Sequence, residues 1–146
     1  MDKNSNLAQQ ITNVYFALAI HAETVVDAAT AYYKTVTFFT GYDWEEIVFT
    51  PGTAKYSEKP KSAGIGKVHQ GKLDLFYPGE DTDTLSNMEN KEDLALLVKI
   101  VYGDGQIKLM GTKENPAKML AGFSIGGKTG YDITITRTGE RAFLMV

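Results

Sequence analysis

Leu94-Ala-Leu-Leu-Val-Lys-Ile-Val-Tyr102, then Gly103-Asp-Gly105, then Gln106-Ile-Lys-Leu-Met110, is the stretch that decides the fold class. Alternation puts Leu94, Leu96, Val98, Ile100 and Tyr102 on one face and Ala95, Leu97, Lys99 and Val101 on the other. A run that is apolar on one face and mostly apolar on the other predicts a central strand covered on both sides. The Gly-Asp-Gly between the two runs supplies the positive-φ positions of a tight hairpin loop. Tyr131 to Thr138 repeats the period of two, Gly139-Glu140 reads as a turn, and Ala142 to Val146 as a last short strand.

Working toward the N-terminus, Pro78-Gly79 breaks a strand over Lys67–Tyr77, with Leu73, Leu75 and Tyr77 on one face. Thr84 to Asp93 is predicted as the one short helix: Ser86 and Glu89 have capping-box spacing, and Leu85 and Met88 share a face. Residues 53–66 hold Pro60 and two glycines among several lysines, and fit an extended loop, an arm or an exposed edge hairpin. Strands are expected over Tyr32–Phe39 and Glu46–Thr50, with Gly41-Tyr42-Asp43 turning between them. Leu7 to Ala29 is ambiguous. Its apolar residues have helical spacing, yet Ile11-Thr-Asn-Val-Tyr-Phe16 is rich in strand formers, and a strand over 11–20 is favoured. Residues 1–6 are polar, and Lys118–Ile125 is a further strand. Together these elements predict a mainly β protein, an antiparallel β-sandwich or barrel-like fold formed by residues 1–146 as one domain.

The composition removes several function classes. With 146 residues and 43% hydrophobic content the chain can bury a core of its own. A net charge of -3 and a pI near 5.4 oppose nucleic-acid binding through a broad basic surface. There is no cysteine, so disulfides, thiolate metal sites and thiol nucleophiles are excluded. The sequence has no signal-peptide pattern and no apolar run of the roughly 18 residues a membrane span needs. A protein made and kept in the cytoplasm, unless it leaves inside a larger particle, is the expectation.

One nucleotide-binding motif matches in full. Gly122-Phe-Ser-Ile-Gly-Gly127-Lys128-Thr129 has the phosphate-loop pattern, in which amides cradle phosphates and the lysine reaches them. That loop must open a helix, because helix-end amides supply much of the binding. Here Gly130 and a period-two strand follow instead, so a connector between strands is expected and no nucleotide cofactor. The acidic run Glu80, Asp81 and Asp83 lacks calcium-loop spacing and reads as a solvated turn ahead of the predicted helix. His21 and His69 are the only histidines, and their spacing implies neither a metal site nor a catalytic base. No catalytic, cofactor or metal residue is assigned, and an enzyme is not expected. Tyr32, Tyr33, Tyr42 and Trp44 are candidates for binding a carbohydrate or a peptide, if exposed.

Residues 46–136 carry a resemblance. Phe49-Thr-Pro-Gly-Thr-Ala-Lys-Tyr-Ser-Glu58, Leu73-Asp-Leu-Phe-Tyr-Pro-Gly79, Leu96-Leu-Val-Lys-Ile100, Asp104-Gly-Gln-Ile-Lys-Leu109, Gly111-Thr-Lys-Glu-Asn-Pro-Ala117 and Gly130-Tyr-Asp-Ile-Thr-Ile135 resemble a family of small structural proteins encoded in phages and prophages of Bacteroidetes. The resemblance implies a virion component of the tail or neck, with a sandwich or barrel-like, tail-tube-like core. It further implies assembly as a homo-oligomeric ring around a channel that passes DNA without sequence-specific binding. Its neighbours would be other tail, neck or portal proteins, and no catalytic residue is carried over. Ring closure needs a head-to-tail interface. Lys55, Tyr56, Glu58, Lys59 and Lys61, in the polar 53–66 segment, are the candidates for an arm that reaches the next subunit.

Overall fold

The computed structural model describes residues 10–27, 33–63, 66–78, 94–113, 115–124, 130–139 and 143–145. In chain order the strands are β1 (Ile11–Leu18), β2 (Ala22–Asp27), β3 (Tyr33–Phe38), β4 (Glu45–Ile47), β5 (Lys55–Ala63) and β6 (Gly66–Pro78). They continue as β7 (Leu96–Tyr102), β8 (Ile107–Met110), β9 (Lys118–Ser124), β10 (Gly130–Gly139) and β11 (Phe143–Met145). A seven-stranded sheet has the order β2-β3-β11-β8-β7-β1-β4, and a four-stranded sheet the order β5-β6-β10-β9. The pairings are antiparallel except that of β11 with β3. Neither sheet closes on itself, so the sandwich is realised and the barrel is not. The helix expected over 84–93 and the acidic run at 80–83 lie outside the described residues.

β7 takes the central place its alternation predicts, flanked by β1 and β8. Its two faces serve two clusters. Leu96, Val98 and Ile100 are fully buried between the sheets with Val14, Phe16, Met110, Leu73, Leu75, Ile133 and Ile135. Leu97, on the opposite face, packs with Leu109, Ala19 and Ala22, partly covered by Val25, Val36, Phe38 and Trp44. Leu94 departs from the expectation: it precedes the strand and is 41% exposed. The hairpin to β8 has a three-residue loop. The Gly105 amide donates to the Tyr102 carbonyl at 3.0 Å, and Gly105 has φ +89°, the left-handed position that such a loop assigns to glycine.

The ambiguous N-terminal segment is a strand as far as Leu18, a 3-10 turn over Ala19–His21, and then β2. A β-bulge explains its helix-like spacing. The register of β1 on β7 shifts between Ile11 and Asn13, so one extra residue brings both Ile11 and Val14 to the core face.

The crossing from β8 to β9 ties the two layers together. Gly111 has φ +103°, and a Cβ there would lie 2.9 Å from the Leu96 carbonyl oxygen. Just beyond it, Ala117 and Leu96 exchange both backbone hydrogen bonds at 2.9 Å. The Asn115 carbonyl accepts from buried Arg137 Nε at 3.0 Å, and Asn115 Nδ2 donates to the Thr138 carbonyl at 2.7 Å. The Asn115–Ala117 segment is thus a clip between the sheets.

Candidate interaction surfaces

The segment expected as a loop or arm is an edge strand. Lys55 to Ala63 pair with β6 without interruption, from Lys55↔Asp74 to Ala63↔Gly66, so 55–63 follows the edge-hairpin alternative and not the loop. Alternation brings two of the lysines to water: Lys55, Ser57 and Lys59 are exposed, whereas Tyr56 and Glu58 turn toward the other sheet. Tyr56 packs on the core and its hydroxyl donates to Glu58 Oε1 at 2.8 Å. Gly71 makes room for it, since a Cβ there would stand 2.7 Å from the Tyr56 hydroxyl oxygen. Lys61 is placed by its backbone pairing with Val68.

Glu58, Gly71 and Arg137 occupy one row across β5, β6 and β10. Across the interlayer space stand Lys108 and Tyr102, with the Lys108 ammonium 5.6 Å from the Tyr56 ring centroid and 5.3 Å from that of Tyr102. Burial, then the Glu58 hydrogen bond and charge, raise the Tyr56 phenol well above its ordinary range. Burial, followed by the charges of Glu58 and Asp104, pushes Tyr102 up to about 12. A phenol held protonated so firmly is a hydrogen-bond donor and a poor base or nucleophile. This corner joins the edge strand to the sandwich.

A second surface lies at the other end of β1. The His21 carbonyl accepts from the Phe39 amide at 3.1 Å, the Phe39 carbonyl from the Tyr42 amide at 3.1 Å, and the Ala95 carbonyl from the Ala19 amide at 2.9 Å. These bonds gather the turn after β1, the turn after β3 and the entry to β7. Their large side chains face water: Ile20 is 76% exposed, Tyr42 49%, Phe39 46% and Leu94 41%. His21 stacks on Tyr42 with centroids 3.9 Å apart, and Phe38 meets Trp44 edge-on at 5.3 Å. Lys99 sits 4.6 Å from the Tyr15 centroid and 5.1 Å from that of Trp44. Burial lowers its ammonium below the ordinary lysine value, against an opposing pull from Asp43.

Of the aromatic candidates, Tyr42 stacks on His21 and Trp44 meets Phe38, Tyr33 is placed on β3 by its backbone, and Tyr32 lies outside the described residues. Ile20, Phe39 and Leu94 were not legible as surface residues, because apolar letters at strand ends look the same whether covered or bare. His69 lies on β6 in the smaller sheet, whereas His21 ends the 3-10 turn between β1 and β2, and no cluster of three metal-ligating side chains occurs among the described residues. The phosphate-loop motif begins in β9 and its continuation is β10, a strand where nucleotide binding needs a helix. Lys128 and Thr129 fall outside the described residues.

At the start of β1, opposite the aromatic end, an open groove of about 320 Å³ is lined by Gln10, Thr12, Asn13, Ile47, Val48 and Phe49, among others. Val48 is 58% exposed there. No helix among the described residues is long and apolar enough to cross a membrane. In comparisons with known proteins, no family model, no curated protein and no solved structure matches the chain.

Proposed function

We propose that this chain is a non-enzymatic structural subunit of a phage tail or neck, assembling as a homo-oligomeric ring around a DNA channel. In that setting it would reside in the virion and touch neighbouring tail, neck or portal proteins. The observation that carries the reading is the exposed apolar end formed by Ile20, Phe39, Tyr42 and Leu94. Large apolar side chains left bare at one end of a fold favour association with another macromolecule. It lies at the opposite end of β1 from the groove at Val48 and Phe49. Eight residues of strand separate the two ends by about 25 Å. An apolar knob and a groove at opposite ends suit a head-to-tail contact, the kind that closes a ring when its rotation permits. The resemblance across residues 46–136 supplies the phage setting, and the net charge of -3 suits a channel that must not grip DNA.

Electron microscopy and native mass measurement over a concentration series test this reading. Closed rings are expected, and Ile20→Asp with Tyr42→Asp is expected to dissolve them into smaller species with unchanged circular dichroism. A wild-type protein that never assembles, with or without its particle neighbours, would reject the ring. A second reading, a small carbohydrate- or peptide-binding module, is favoured by the exposed Tyr42 stacked on His21, two residues along the chain from Trp44. A saturable shift of Trp44 emission on titration with oligosaccharides or peptides would support that module instead.

A further inference from the structure

Among the described residues the two sheets have four open edges: β2 and β4 in the larger, β5 and β9 in the smaller. An open edge presents unpaired amides and carbonyls, and accepts another strand unless something prevents it. Three edges carry such an obstacle. β4 is only three residues long. β2 has a register shift between Ala22 and Thr24 and the acidic residues Glu23 and Asp27. β5 contains Pro60, which has no amide to donate, amid Lys55, Lys59 and Lys61.

β9 carries none of these. Lys118-Met-Leu-Ala-Gly-Phe-Ser124 has no proline and a single charge, at its first residue. Its pairing with β10 runs without a bulge from Thr136↔Lys118 to Gly130↔Ser124. Among the described residues no strand pairs with its far side.

We propose that β9 is a pairing edge whose occupant is β9 of a second copy, antiparallel about a two-fold axis at Ala121. In that register Lys118 faces Ser124 of the other copy, Met119 faces Phe123 and Leu120 faces Gly122, so no like charges oppose each other. Leu120 is 60% exposed, and it would lie against Gly122, where a Cβ meets nothing nearer than the Asp132 carbonyl oxygen at 4.0 Å. A bare leucine and an open glycine two residues apart are self-complementary across such an axis. The same symmetry applied to β5 about its midpoint would set Lys59 against Lys59, which disfavours that edge. A two-fold contact joins two copies and closes on itself, so it is separate from the head-to-tail ring contact, and either can exist without the other.

The absence of native cysteine makes the test direct. In the Ile20→Asp, Tyr42→Asp background, which disables the proposed ring contact, Ala121→Cys places one thiol at the symmetric position. Facing residues of an antiparallel pair have Cα atoms roughly 4.5–5.5 Å apart, within disulfide range. Mild oxidation is expected to give a covalent dimer from Ala121→Cys and none from Ser57→Cys on β5. Leu120→Lys, at an exposed site, is expected to raise the dimer dissociation constant at least about tenfold in sedimentation experiments. Equal crosslinking of the two thiols, or a Leu120→Lys protein that dimerises as well as its parent, would overturn the proposal.

Discussion

Leu96, Val98 and Ile100 project from the middle strand into the space between the sheets, and each is 0% exposed. Truncating Ile100 to alanine there is expected to cost about 2–5 kcal/mol, a large part of the 5–15 kcal/mol typical of a domain, measured by urea unfolding. Gly111→Ala is expected to cost about 2–3 kcal/mol by the same measurement. Its φ of +103° is hostile to a Cβ, and the carbonyl it would strike belongs to the strand that Ala117 bridges. Tyr102 contributes a pH dependence. Its pKa in the fold is about 12 against an ordinary 10, so the unfolded chain loses the proton first as pH rises. Stability from this residue is complete below pH 10 and declines as pH rises toward 12. Thermal unfolding across that interval is expected to fall less steeply for Tyr102→Phe than for wild type.

At the level of single elements, legibility tracked how local the cause was. β7, its three-residue loop and β10 were readable because alternation and Gly-Asp-Gly are written in adjacent residues. The first strand carries helix-like spacing, because the bulge after Ile11 places two core residues three apart. The 55–63 segment looked like a loop because Lys55, Lys59 and Lys61 outnumber its apolar residues, yet one inward tyrosine and a long partner suffice for an edge strand. As for candidate sites, Tyr42 and Trp44 could be named from sequence. Their gathering with Ile20, Phe39 and Leu94 could not, since it depends on turns far apart in the chain. The lysines and proline of β5 act as guards against stray pairing. Lys55→Thr, Lys59→Thr and Pro60→Thr combined are expected to raise light scattering on storage while leaving far-ultraviolet circular dichroism of fresh protein unchanged.

At the scale of the whole molecule, the clusters that the described residues form on the two faces of the larger sheet are unequal. The interlayer cluster draws on both sheets, whereas the outer one holds Ala19, Ala22, Leu97 and Leu109 under partly exposed Val25, Val36, Phe38 and Trp44. A region with fewer buried apolar contacts opens at lower free energy than the global core. Amides of β2 and β3 are therefore expected to exchange with deuterium before those of β7 and β10. Equal protection across the four strands would show instead that the molecule opens as one unit.

Trp44 is the single tryptophan of the chain, and it belongs to this outer cluster, beside Phe38 and the partly buried Lys99. The fold has thereby placed its one native fluorophore over the weaker of the two clusters. Emission from Trp44 is a built-in gauge of the outer layer, while circular dichroism averages over both sheets. In a denaturant series the fluorescence midpoint is expected to precede the dichroism midpoint, and the gap between the two curves would measure how independently that layer peels away.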